Sequence, residues 1–130
     1  MNSGGWVWLW VALGGAMGAT ARFGVGRLIG SGAAMTFPWA TYTVNIVGSF
    51  LVGLLMAGAS RGLLPEPARA FLGIGVLGGF TTFSTFSADL VAMTGTPAGM
   101  SRQLLYCVAS VAGGWLAAWA GFVLGLGWRR

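Results

Sequence analysis

The sequence has no histidine, no lysine, one cysteine and only two acidic residues, Glu66 and Asp89. Such a set argues against any zinc- or copper-type centre, whose ligands are drawn from Cys, His and carboxylate side chains. Cys107 has no partner for an intrachain disulfide, and in its apolar surroundings it reads as a small packing residue. Charged residues make up 7% of the 130-residue chain, whereas soluble domains carry about 25%. So little charge cannot cover a water-facing surface, and no polar segment is long enough to fold alone. The net charge of +5 comes with seven arginines, at 22, 27, 61, 69, 102, 129 and 130. They are too scattered for a nucleic-acid patch and suit the boundaries of a membrane protein. The N-terminal stretch Met1 to Leu13 lacks a basic leader region and a clean cleavage site, so it is expected to open a retained first span.

What the chain does have is apolar length: 56% hydrophobic residues and a mean hydropathy of +0.80. The expected fold is an all-α integral membrane protein, one domain over 1–130, with four spans at about 6–28, 39–59, 69–93 and 102–126. Gly32 and Pro38 break the first loop, Pro65 and Pro67 the second, and Gly95, Pro97 and Gly99 the third. Trp6, Trp8 and Trp10 crowd the start of span one, and Trp128 with Arg129 and Arg130 ends the chain; both suit an interface. Gly14/Gly18, Gly15/Ala19, Ser49/Gly53/Ala57 and Gly113/Ala117/Gly121 form small-residue rows that let helices approach closely.

Polar residues inside these spans are few. Arg22 lies deeper than Arg27; it either faces a wet vestibule or snorkels to the interface. Thr41 and Asn45, four apart, share a face of span two. Asn45 carries two donors and an acceptor, and serves either a polar path or an interhelical hydrogen bond. Tyr106 and Ser110 make a second polar row on span four, and Gly114 continues it.

The outlying stretch is Gly78-Gly79-Phe80-Thr81-Thr82-Phe83-Ser84-Thr85-Phe86-Ser87, with five hydroxyls and three phenylalanines inside span three. Adjacent glycines weaken a helix by roughly 1 kcal/mol each relative to alanine. Five Ser/Thr side chains then offer competing local hydrogen bonds. One reading is a helix broken near the midplane around Gly78 to Thr81, with freed carbonyls for a cation and freed amides for an anion. The other is a kinked, continuous helix packed by its phenylalanines.

Four spans would place Arg61, Arg69, Arg129 and Arg130 on one side, against Arg27 and Arg102 with Arg22 leaning their way. A bias this weak permits insertion in both orientations. Four short helices also leave little room for a path within one subunit, which favours a homodimer, antiparallel if insertion is dual.

Taken with Asn45 and Arg22, the Gly78 to Ser87 motif closely resembles the Fluc, or CrcB, family of fluoride channels. The resemblance covers essentially the whole chain. It implies an antiparallel, dual-topology homodimer that exports fluoride passively through two pores from a microbial cytoplasm, across the bacterial inner membrane. It implies a structural sodium ion at the dimer centre, held by backbone carbonyls of Gly78 and Thr81. It assigns the fluoride path to Phe83, Phe86, Asn45, Thr41 and Arg22, and less directly to Tyr106 and Ser110. Many relatives carry Glu where this chain has Asp89, which leaves the role of Asp89 open.

These residue types suit a small, strongly hydrated anion. Hydroxyls and an amide replace lost water as donors. A phenylalanine ring is negative on its face and positive at its edge, so an anion can rest against the edge. On pattern alone the phenylalanines read as packing residues; the resemblance reverses that for Phe83 and Phe86 and leaves Phe80 open. A competing function is a small dual-topology, proton-coupled exporter, which needs a membrane carboxylate, here only Asp89. A third is a non-transporting assembly subunit whose polar residues hold helices together.

Overall fold

The computed structural model describes residues 4–30 and 37–127. Gly32, Trp128, Arg129 and Arg130 lie outside the described residues. All regular structure among the described residues is helical. α1 is Gly4–Ile29 and α2 is Trp39–Ser60. α3 (residues 66–80) joins a first turn, Glu66–Arg69, to a π-helical stretch, Ala70–Leu77, and a closing turn, Gly78–Phe80. α4 is Phe83–Ala92 and α5 is Gly99–Gly127.

Three segments, Trp39–Ser60, Glu66–Ala92 and Gly99–Gly127, are long and apolar enough to cross a membrane. α1 has 26 residues, a length of roughly 39 Å at the usual rise. Its tryptophans and glycines dilute its hydropathy below that of the other three. The lateral surface is greasy: Trp8, Phe23, Leu28, Ile74, Trp115 and Trp119 are all exposed. A water-soluble monomer rarely shows so much apolar area, and a protein embedded in lipid does so routinely.

The helices pair as α1 with α3 and α2 with α5. The small-residue rows make both contacts. A Cβ placed on Gly79 would lie 2.6 Å from the Gly15 carbonyl oxygen, and one on Gly121 would strike the carbonyl of Phe50. Any side chain at either position would push the helices apart. Arg61, expected only as a boundary arginine, reaches across to α5. Its Nη1 donates to the Gly125 carbonyl at 3.0 Å, a cation on the negative end of a helix.

The interruption of the third segment is real, but it lies later than the glycine pair. Gly78 is helical (φ −63°, ψ −37°), and its N–H donates to the Gly73 carbonyl in the wider π pattern. Thr81 (φ −78°, ψ 159°) and Thr82 (φ −154°, ψ 119°) are the extended residues. The reason is packing. Gly79 packs directly on Gly15 and Ala19 of α1, and this close approach offsets the poor helix propensity of the pair. Thr82 is instead a good N-cap: its Oγ1 accepts from the Thr85 N–H at 3.1 Å and starts α4.

Candidate functional site

The break is the centre of the site, and Asn45 of α2 holds it. Asn45 Nδ2 donates to the Thr82 carbonyl at 3.0 Å, and the Thr82 N–H donates to Asn45 Oδ1 at 2.8 Å. A side-chain amide thus pairs with an extended peptide as a neighbouring β-strand would. Freed backbone groups at membrane depth must find partners within the protein, and Asn45 supplies both. One Nδ2 hydrogen remains for another acceptor. Thr82 is also the hub of a hydroxyl cluster. Its Oγ1 lies 3.2 Å from Ser84 Oγ and donates to Thr85 Oγ1 at 3.1 Å. Thr81 Oγ1 turns back to the Leu77 carbonyl at 2.9 Å.

These bonds decide which carbonyls are left over. In an unbroken helix the Gly78 carbonyl would accept from the Thr82 N–H, and the Thr81 carbonyl from the Thr85 N–H. The first donor goes to Asn45 and the second to Thr82 Oγ1. Gly78 is exposed and Thr81 half-buried. Two carbonyls that have lost their helical donors are of the kind that suits a hard alkali cation, which is held by backbone oxygens. Two oxygens fall short of a full coordination shell.

Two clefts flank the break, and Thr82 lines both. The first, about 360 Å³, is lined by Arg22 and Phe23 of α1, Thr41 and Val44 of α2, and Thr82, Thr85 and Asp89. The second, about 340 Å³, is lined by Asn45, Ser49 and Val52 of α2, Thr81, Thr82, Phe83 and Phe86, and Ser110 and Val111 of α5. The first carries both a cation and a carboxylate. The second is mostly apolar, with aromatic rings and isolated hydroxyls.

The structure therefore brings Arg22 and Thr41 to one cleft and Asn45, Phe83, Phe86 and Ser110 to the other. Tyr106 lines neither. It is fully buried, and its hydroxyl donates to Asp89 Oδ2 at 3.0 Å. Its ring is wedged between Phe37 and Phe86, with centroids at 5.2 and 5.0 Å. The two motif phenylalanines are unequal. Phe86 is 8% exposed and Phe83 is 78% exposed, although their centroids lie only 5.6 Å apart. Ser110 Oγ is buried and has no hydrogen-bond partner among the described residues. An orphaned hydroxyl of this kind calls for an explanation, and a transient ligand is one.

Sequence reasoning placed the hydroxyls of the motif but did not separate Thr82 from the rest. Its preference for an N-cap position was the available signal. Ser49 was read only as part of a packing row, although it follows Asn45 by four residues and shares its face.

A model of the family described as CrcB-like protein, Camphor Resistance (CrcB), matches residues 9–122. A protein of Deinococcus radiodurans named Fluoride-specific ion channel FluC is 48% identical over 120 residues, covering 92% of this chain and 94% of its own. One of Thermus thermophilus with the same name is 44% identical over 118 residues, covering 91% and 94%. A third, from Sphingopyxis alaskensis and again so named, is 47% identical over 116 residues, covering 88% and 90%. Similarity this extensive, running through the broken segment and the helices that hold it, means that the chain belongs to the CrcB-like family.

Proposed function

We propose that the chain is a passive, fluoride-selective channel that crosses the bacterial inner membrane four times per subunit and works as an antiparallel homodimer. Its similarity over nearly full length to proteins named as fluoride-specific channels carries this reading. The two clefts meeting at Thr82 support it.

The proposed path begins at Arg22, which raises the local anion concentration without forming a tight site. Binding must stay weak enough for exit. The hydroxyls of Thr41 and Thr85 in the same cleft replace the first waters lost. Beyond Thr82 the ion meets the edges of Phe83 and Phe86, where ring hydrogens carry partial positive charge. Ser110 Oγ and the remaining Nδ2 hydrogen of Asn45 are the polar donors there. Tyr106 enters the path only after its hydroxyl leaves Asp89; in the conformation described, its ring forms the wall behind Phe86. A sodium ion held by the Gly78 and Thr81 carbonyls of two subunits would supply positive charge at the break. The exposure of Phe83 and Gly78 in a single chain suits a site completed by a second copy.

The test is efflux from liposomes loaded with sodium fluoride and sodium chloride, with no pH gradient. Rapid release of fluoride that leaves chloride behind is the expected result. Transport that appears only with a proton gradient would overturn the channel and favour an exporter working through Asp89. Absence of any transport would favour an assembly subunit.

A further inference from the structure

We infer that Ser49 of α2 supplies a further hydroxyl of the anion path, at the level where the polar row of α5 has no side chain to offer. This rests on the channel reading above and adds a residue to it. Tyr106, Ser110 and Gly114 follow one another at four-residue spacing on α5, so they share one face. The row loses its polar group at Gly114. A Cβ placed on Gly114 would lie 3.4 Å from Ser49 Oγ. The hydroxyl of Ser49 thus stands beside the space that a residue 114 side chain would fill. On its own helix Ser49 is one turn beyond Asn45, and both line the second cleft with Phe83, Phe86 and Ser110.

The chemistry follows from what fluoride demands. A small anion entering a mostly apolar cleft loses water and needs a donor at each step. Ser110 Oγ is buried without a partner, and a serine hydroxyl rotates to face whatever acceptor arrives. An ion released by Ser110 and moving along the cleft next requires a donor near Gly114. Ser49, on the opposite wall, is the hydroxyl at that level.

The experiment reconstitutes full-length wild type, Ser49→Ala and the double variant Ser49→Ala/Gly114→Ser in fluoride-loaded liposomes. Size exclusion first verifies that each variant elutes as wild type does. Ser49→Ala is expected to slow fluoride efflux roughly three- to tenfold, the effect of one hydrogen bond. The double variant is expected to recover most of the rate, because it returns a hydroxyl to the same space from the other wall. Ser49→Cys keeps a side chain of the same connectivity, slightly larger, while weakening the donor, and it gives the same slow reading if alanine disturbs folding. An undiminished Ser49→Ala rate, or a slow rate that Gly114→Ser does not repair, would overturn the inference and leave Ser49 a packing residue. Failure of wild type to release fluoride passively would instead overturn the channel reading itself.

Discussion

Replacing Asn45 with alanine removes both partners of the Thr82 peptide in one step. The bonds lost measure 3.0 and 2.8 Å and span 37 residues of sequence. In water, leaving one buried polar group unpaired costs about 1–3 kcal/mol. Within membranes, measured hydrogen bonds average about 0.6 kcal/mol and reach about 1.7, because the unfolded helices find other partners. Two such bonds give about 1–3 kcal/mol for Asn45→Ala, and the short, paired geometry favours the upper half. Denaturing the purified protein with rising SDS in mild detergent measures this loss, and liposome efflux measures conduction in parallel. A residue that holds the break is expected to lower stability and fluoride flux together. Asn45→Asp keeps an acceptor for the Thr82 N–H but as a carboxylate sets an unpaired charge against the Thr82 carbonyl, so it is expected to be no more stable than the alanine variant. Unchanged stability in Asn45→Ala, with flux alone reduced, would refute the account of Asn45 as the residue that holds the break.

Further outcomes follow from the same geometry. Phe83→Ala is expected to slow fluoride efflux at least tenfold while barely changing the stability of the subunit, since the ring is 78% exposed. Phe86→Ala should lower both, though by less than the ~3–5 kcal/mol typical of a water-soluble core, because lipid does not repel the exposed apolar surface as water does; SDS unfolding and efflux assays separate the two. Gly78→Cys in a Cys107→Ser background should crosslink two chains under mild oxidation, seen as a doubled mass on a non-reducing gel. Gly78 suits this test because it is exposed, with only the Gly73 carbonyl 3.7 Å from a Cβ placed there, whereas Gly79 faces α1. Monomers alone would count against a dimer centred on the break. Arg61→Ala should cost about 0.3–1 kcal/mol by uncapping α5, a loss that added salt reduces; SDS unfolding at two salt concentrations checks it.

The apolar segments were legible from composition alone, since a chain with 7% charge has no other solvent to fold in. The small-residue rows were legible too, because close helix approach is a matter of side-chain volume at four-residue spacing. The motif was visible as hydroxyls out of place. Its internal geometry was not. Propensity pointed to Gly78-Gly79 as the weak point, yet packing of Gly79 on Gly15 keeps this turn helical, and the break falls at Thr81 and Thr82. Local propensities of about 1 kcal/mol per residue yield readily to such tertiary contacts.

Sequence alone determined that this chain is helical and membrane-embedded, with an anomalous stretch at Gly78 to Ser87, because these follow from hydrophobicity and hydroxyl content read locally. Tertiary structure alone decided what each polar group does. Asn45 meets Thr82, Tyr106 meets Asp89, Arg61 meets Gly125 and Ser49 stands beside Gly114. Each pairing joins different helices, and spacing along one helix carries no information about which face another helix will bring to it.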